Sequence, residues 1–95
     1  MRTCTLYGNR IADLDALHTA LAEAFAFPAW YGRNLDALYD LLTEPMEPTT
    51  LTIYAWEALA DTLGEKSGAV QRMLNDAGQS NPALTVLLLG DADEV

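Results

Sequence analysis

Basic residues are scarce in this chain. Five lysines and arginines stand against fourteen aspartates and glutamates, and the net charge is -9. That balance works against nucleic-acid or anionic-membrane binding, both of which need a cationic surface. It favours a basic protein partner or plain solubility. Cysteine is nearly absent as well. Cys4 is the single one, so no disulfide can form within the chain. Lying early in a β-prone segment, it reads as a small buried hydrophobe rather than a reactive thiol. One cysteine and one histidine, His18, make no zinc-ligand cluster, and none of the six glycines belongs to a phosphate-cradling loop. No cofactor and no metal are expected. No apolar run approaches the ~20 residues of a membrane span. The start, Met1 to Tyr7, lacks the apolar core of a signal peptide. These absences predict a soluble, cytoplasmic protein.

What is present is a core. Hydrophobic residues make up 51% of the 95 positions, which suits one domain. Thr3 to Tyr7 is β-prone and ends at the turn Gly8-Asn9. Asp13 is placed to cap a helix running to about Phe25, with Leu14, Leu17, Leu21 and Phe25 at helical spacing. Phe27-Pro28 breaks it, because proline disfavours helical geometry in the residue before it. A second helix starts at Asn34, a good N-cap, and runs to about Thr43. Its Leu35, Leu38 and Leu42 form an apolar stripe, with Leu41 at the edge. Pro45 and Pro48 bracket a loop, and the alternation of Thr50 to Tyr54 predicts a strand. Trp56 to Leu63 reads as a short helix ending near Gly64. Ser67 is placed to cap another, with Val70, Met73, Leu74 and Ala77 on one side and Gly78 close to its end. After the loop at Ser80-Asn81-Pro82, Leu84 to Leu89 is the most apolar strand and is expected to be central or buried on both sides.

The order is β-α-α-β-α-α-β. Strands separated by helical connections predict a three-stranded parallel sheet packed with about four helices, an α/β fold. Residues 1–90 read as one domain and 91–95 as an acidic C-terminal tail.

The most informative stretch is residues 28–42. Asp36 and Asp40 are four apart and share a helix face, although like charges at that spacing cost roughly 0.2–0.5 kcal/mol. The pair can be a solvated face, a docking patch for a cationic partner, or an acid/base pair. The last would need a pocket between the two carboxylates. Of Trp30 and Tyr31, one is expected to pack inward and the other to stand out as an interface anchor. Tyr39 falls near the edge of the leucine stripe, where its hydroxyl can reach the acidic face or simply mark the boundary. His18 reads as a surface or boundary histidine with no nucleophile or ligand near it in sequence. Gly32 serves a tight turn before Asn34, and Asp76 by itself reads as a surface acid.

The run Trp30-Tyr31-Gly32-Arg33-Asn34-Leu35-Asp36-Ala37-Leu38-Tyr39-Asp40 resembles the core motif of the barstar family, intracellular inhibitors of barnase-type ribonucleases. Ile11 to Leu21 is similar to the family's first helix, and Leu74-Asn75-Asp76-Ala77 to the helix that carries a further acidic contact. The resemblance extends over residues 2–89. It implies a barstar-like fold and a stoichiometric inhibitor rather than an enzyme. The implied partner is a basic extracellular ribonuclease in a 1:1 complex, with no nucleic acid, membrane or small-molecule substrate bound directly. Asp40 matches the acid that enters the catalytic pocket in place of a substrate phosphate. Asp36 matches a second acid on the same face, and Trp30 an aromatic against the enzyme's catalytic histidine. Asn34, Tyr39 and Thr43 match neighbouring contacts, and Asp76 an outlying acidic one.

Several residues depart from the pattern. Trp30 stands where tyrosine is usual, Tyr39 replaces tryptophan, and Asp76 is a methylene shorter than glutamate. Arg33 puts a positive charge at the rim, and the loop from Glu44 to Pro48 diverges. The resemblance therefore implies an immunity protein against a guanyl-preferring ribonuclease, with a binding module for another basic protein or toxin as the alternative.

Overall fold

Threonines alternate with apolar residues in Thr3-Cys4-Thr5-Leu6 and again in Thr50-Leu51-Thr52-Ile53, and this period of two sorts the sheet into a wet and a dry face. In the computed structural model, which describes residues 2–90, strand β1 spans Arg2–Tyr7, β2 Thr49–Tyr54 and β3 Leu84–Leu88. All pairings are parallel, in the order β1-β2-β3. Cys4, Leu51 and Val86 are in register across the dry face, as are Leu6, Ile53 and Leu88. The other face carries Thr3, Thr5, Tyr7, Thr85 and Leu87, all exposed.

The helices are α1 (Leu14–Phe25), α2 (Leu35–Leu42), α3 (Trp56–Leu63) and α4 (Ser67–Ser80). Short 3-10 turns occupy Gly8–Arg10 and Gly64–Lys66. Leu17 and Leu21 of α1, Leu38 and Leu42 of α2, Leu59 of α3, and Val70 and Leu74 of α4 join Leu51 and Ile53 in one fully buried cluster. The expected α/β architecture is present. The acidic tail, 91–95, lies outside the described residues, and among those described no helix is long and apolar enough to cross a membrane.

Three expectations need correction. β3 is an edge strand, and the centre belongs to β2. Each helical connection carries the chain to the neighbouring strand, so the second of three strands must be the middle one. Leu87 accordingly sits opposite Thr52 on the open face, 40% exposed. Ser67 does not cap α4. Both it and Lys66 already have helical backbone angles, and the 3-10 turn leads directly from α3 into α4. A capping residue needs extended angles instead.

The third correction is His18, which is buried, not superficial. Its Nδ1 is hydrogen-bonded to the Tyr31 hydroxyl at 2.5 Å. At i+4 from Leu14 and i-3 from Leu21, it lies on the buried stripe of α1. Burial, reinforced by the Arg33 charge and opposed by Asp15, holds its pKa below the ordinary 6.5. Burial also pushes the Tyr31 hydroxyl up to about 12, so it keeps its proton.

The loop at 80–82 has a structural duty. The buried Asn81 donates from Nδ2 to the carbonyls of Leu42, at 3.0 Å, and Glu44, at 3.1 Å, while its Oδ1 accepts from Ala83 N at 3.1 Å. One side chain thus ties the C-terminal end of α2 to the entrance of β3.

Two measurements follow. The unfolded chain binds a proton at His18 more readily than the folded one, so this contribution to stability is complete above pH 6.5. It fades as pH falls through the depressed native pKa. Urea unfolding from pH 8 to pH 5 should show that loss, and His18→Asn should flatten it. Asn81→Ala should lower unfolding free energy by about 1–3 kcal/mol, because it strips a buried donor from two carbonyls.

Candidate functional site

Helix α2 is eight residues long and held at both ends. Asn34 has extended backbone angles, and its Oδ1 accepts from Ala37 N at 2.8 Å, the predicted cap. At the other end Thr43 Oγ1 donates to the carbonyl of Tyr39 at 2.8 Å and more weakly to that of Asp40. Leu38, Leu41 and Leu42 face the core and Leu35 packs against it half-buried, so the expected stripe is present, with Leu41 inside it rather than at its edge.

Asp36 and Asp40 project from the outer face, both exposed. Among the described residues the one ion pair is Arg33–Asp15, and neither carboxylate takes part in a hydrogen bond. Their positions on the helix are not equivalent. Asp36 lies in the first turn, where the amide ends favour an anion. Asp40 lies near the C-terminal end, where the carbonyl ends disfavour one, and no basic residue shares that turn. Among the described residues, no side chain pairs with the carboxylate of Asp40.

Asp36 also borders a groove of about 290 Å³ between α2 and α4. Leu35, Tyr39, Ala69 and Met73 line it together with Arg72 and Asp76. The fold therefore brings Asp36, Tyr39 and Asp76 to one groove. Tyr39 is half-buried, and its hydroxyl is hydrogen-bonded to Ser80 Oγ at 2.8 Å, which holds the ring against α4. Asp40 and Thr43 lie beside the groove rather than in it, and Asn34 stands at the start of the helix. No pocket encloses both aspartates, so the acid/base reading has no geometric support among the described residues.

The loop before α2 divides its aromatics as expected. Tyr31 is buried, packing on Phe27 with ring centroids 4.9 Å apart. Trp30, next to it, is 74% exposed. The Tyr31 amide donates to the Pro28 carbonyl at 3.0 Å and closes the turn. Gly32 does not supply the unusual backbone. Arg33 does, with φ 56.

The Arg33 side chain does not stand at the rim as a bare charge. Its Nη2 donates to Asp15 Oδ1 and Thr19 Oγ1, each at 2.7 Å, and to the Asp15 carbonyl at 2.8 Å. Its Nε adds a 3.1 Å bond to Asp15 Oδ1. The partnerships of Arg33, His18 with Tyr31, Ser80 and Asn81 were not foreseen from the sequence. For His18 a signal existed, its place on the leucine stripe. The others join residues 14 to 41 positions apart, which local periodicity does not register.

What the face can do is set by its chemistry. Two hydrogen-bond acceptors of full negative charge stand on a rigid helix, beside a large exposed indole. This arrangement complements a cationic, donor-rich cleft. No cluster of three metal-binding side chains occurs among the described residues.

Comparison with known proteins places the chain in a family. The family model described as Barstar (barnase inhibitor) matches residues 1–88, which takes in every element from β1 to β3. The chain is 35% identical over 78 residues to "Putative ribonuclease inhibitor YrdF" of Bacillus subtilis (strain 168). That alignment covers 81% of this chain and 86% of the relative. With the fold, the capped acidic helix and the matched span in agreement, the chain belongs to the barstar family of barnase inhibitors.

Proposed function

We propose that this protein is an intracellular, stoichiometric inhibitor of a barnase-type, guanyl-preferring ribonuclease, and that it protects its producer from that secreted enzyme. The observation that carries the reading is Asp40: an exposed carboxylate at the unfavourable end of a helix, with no partner among the described residues. A site that binds phosphates holds arginine and histidine donors at fixed positions. A carboxylate presented by a rigid helix satisfies those donors with charge-assisted hydrogen bonds and needs little reordering. Asp36 supplies a second charge one helical turn away, and Trp30 the apolar anchor. Asn34, Tyr39, Thr43 and Asp76 border the same contact. The chain blocks the site in a 1:1 complex and catalyses nothing.

The net charge of -9 adds a long-range contribution. It draws in a basic enzyme and makes association sensitive to salt. The barnase–barstar pair of the same family is itself the standard case of such steering. A second reading is a barstar-like module for another basic protein or toxin. The bulky, 74% exposed indole of Trp30 favours it, because a larger aromatic needs a differently shaped pocket.

Titration of a barnase-type ribonuclease should abolish RNA cleavage at one inhibitor per enzyme, with no turnover of inhibitor. Asp40→Ala should weaken binding by about 2 kcal/mol or more, the range of a central charged anchor. Its thermal stability should stay within about 0.5 kcal/mol of the parent, since the carboxylate has no internal role. Binding should weaken between 50 mM and 500 mM salt, chiefly through slower association. If Asp40→Ala binds as tightly as the parent, phosphate mimicry by this residue is wrong. If the parent captures a basic protein that is not a nuclease and leaves RNA cleavage untouched, the second reading replaces the first.

A further inference from the structure

Positive φ is uncommon outside glycine, and among the described residues Ala26, Arg33 and Ala55 adopt it. Ala26 and Ala55 flank helices, and their amides bond to carbonyls that fix them there. Arg33 is different. It is a long side chain in the left-handed region, directly after a glycine that does not take that conformation. The backbone strain is matched by a side chain that makes four hydrogen bonds to two residues of α1, Asp15 and Thr19. Its neighbour but one, Tyr31, bonds to His18. Asp15, His18 and Thr19 are i, i+3 and i+4, so both anchors grip a single face of α1. Trp30, 74% exposed, has no burial of its own to hold it.

We infer that Arg33 is a positioning residue for the binding loop. Its guanidinium fork fastens residues 28–34 to α1 and so sets the place of Trp30 and the start of α2 before any partner arrives. A loop ordered in advance loses less conformational freedom on binding, and the gain shows as slower dissociation. The inference rests on the proposed partner face, but the fastening itself belongs to the free protein. It also changes the meaning of the positive charge at this position. Paired with Asp15 on α1, that charge is part of the scaffold, and its cost to a basic partner is confined to a weaker long-range attraction.

Two variants separate fastening from charge. Arg33→Asn keeps a residue that tolerates the left-handed backbone but cannot reach α1. Asp15→Ala removes the acceptor and leaves the arginine in place. In the free protein, amide exchange at Tyr31, whose N–H closes the turn onto Pro28, should quicken by about fivefold in Arg33→Asn and by less in Asp15→Ala. The Leu51 amide in the core should be unaffected. Against a barnase-type ribonuclease both variants should dissociate faster, by about fivefold for Arg33→Asn. Association should shift in opposite directions, faster for the more acidic Arg33→Asn and slower for Asp15→Ala. Arg33→Lys keeps the charge and should restore association without restoring slow dissociation, because an ammonium does not reproduce the planar fork. Unchanged Tyr31 exchange in Arg33→Asn overturns the inference. So do dissociation rates that move in opposite directions, since those report charge alone. If the parent binds no ribonuclease, the proposed function falls, and the exchange measurement still decides whether the loop is fastened.

Discussion

An eight-residue helix does not stand in water unaided, because the turn that nucleates it fixes several residues for a single hydrogen bond. The display of Asp36 and Asp40 therefore depends on how firmly the rest of the molecule holds α2. Three leucines bury its inner face. Asn34 satisfies an amide at one end, and Thr43 and Asn81 bind carbonyls at the other. Tyr39 is tethered to α4 through Ser80. Each of these contacts leaves the outer face untouched. Two like charges one turn apart are tolerable only because the fold supplies the order that the helix cannot supply for itself.

The loop from Pro28 to Asn34 follows the same logic with different materials. It has too few residues for a core of its own, so it borrows α1. Tyr31 goes inward to His18 and Phe27, and Arg33 goes sideways to Asp15 and Thr19. Trp30 is left outward, just ahead of both anchors in the chain. A polar bond inside and an ion pair outside hold the loop that carries this one exposed aromatic.

Much of the architecture was legible in the sequence. The caps at Asp13 and Asn34 follow from short polar side chains ahead of apolar periodicity, and both form as read. The strands follow from alternation, and the parallel sheet from the helical connections between them. The division between Trp30 and Tyr31 was legible as a division, though not which way it would fall. Misreadings came where one level of description overrode another. The run Leu87-Leu88-Leu89 is apolar enough for a central strand, yet connection order places it at the edge. Ser67 has the right side chain for a cap, yet the chain reaches it already helical. His18 is polar and alone, yet a tyrosine thirteen residues later makes its burial affordable. Of the acidic face, the residue types and helical spacing were readable. Its support by Asn81, Ser80 and Arg33 was not, since those bonds exist only once distant segments have met.

The open face of the sheet has one more consequence. Thr3, Thr5, Tyr7, Thr50, Thr52, Tyr54, Thr85 and Leu87 carry no formal charge, while the acids of the described residues sit on helices and loops. Among the described residues, negative charge is thus kept off this face and gathered on the helical and loop side. In the field of a cationic surface such a body experiences a torque, which turns its helical side forward while the two are still some distance apart.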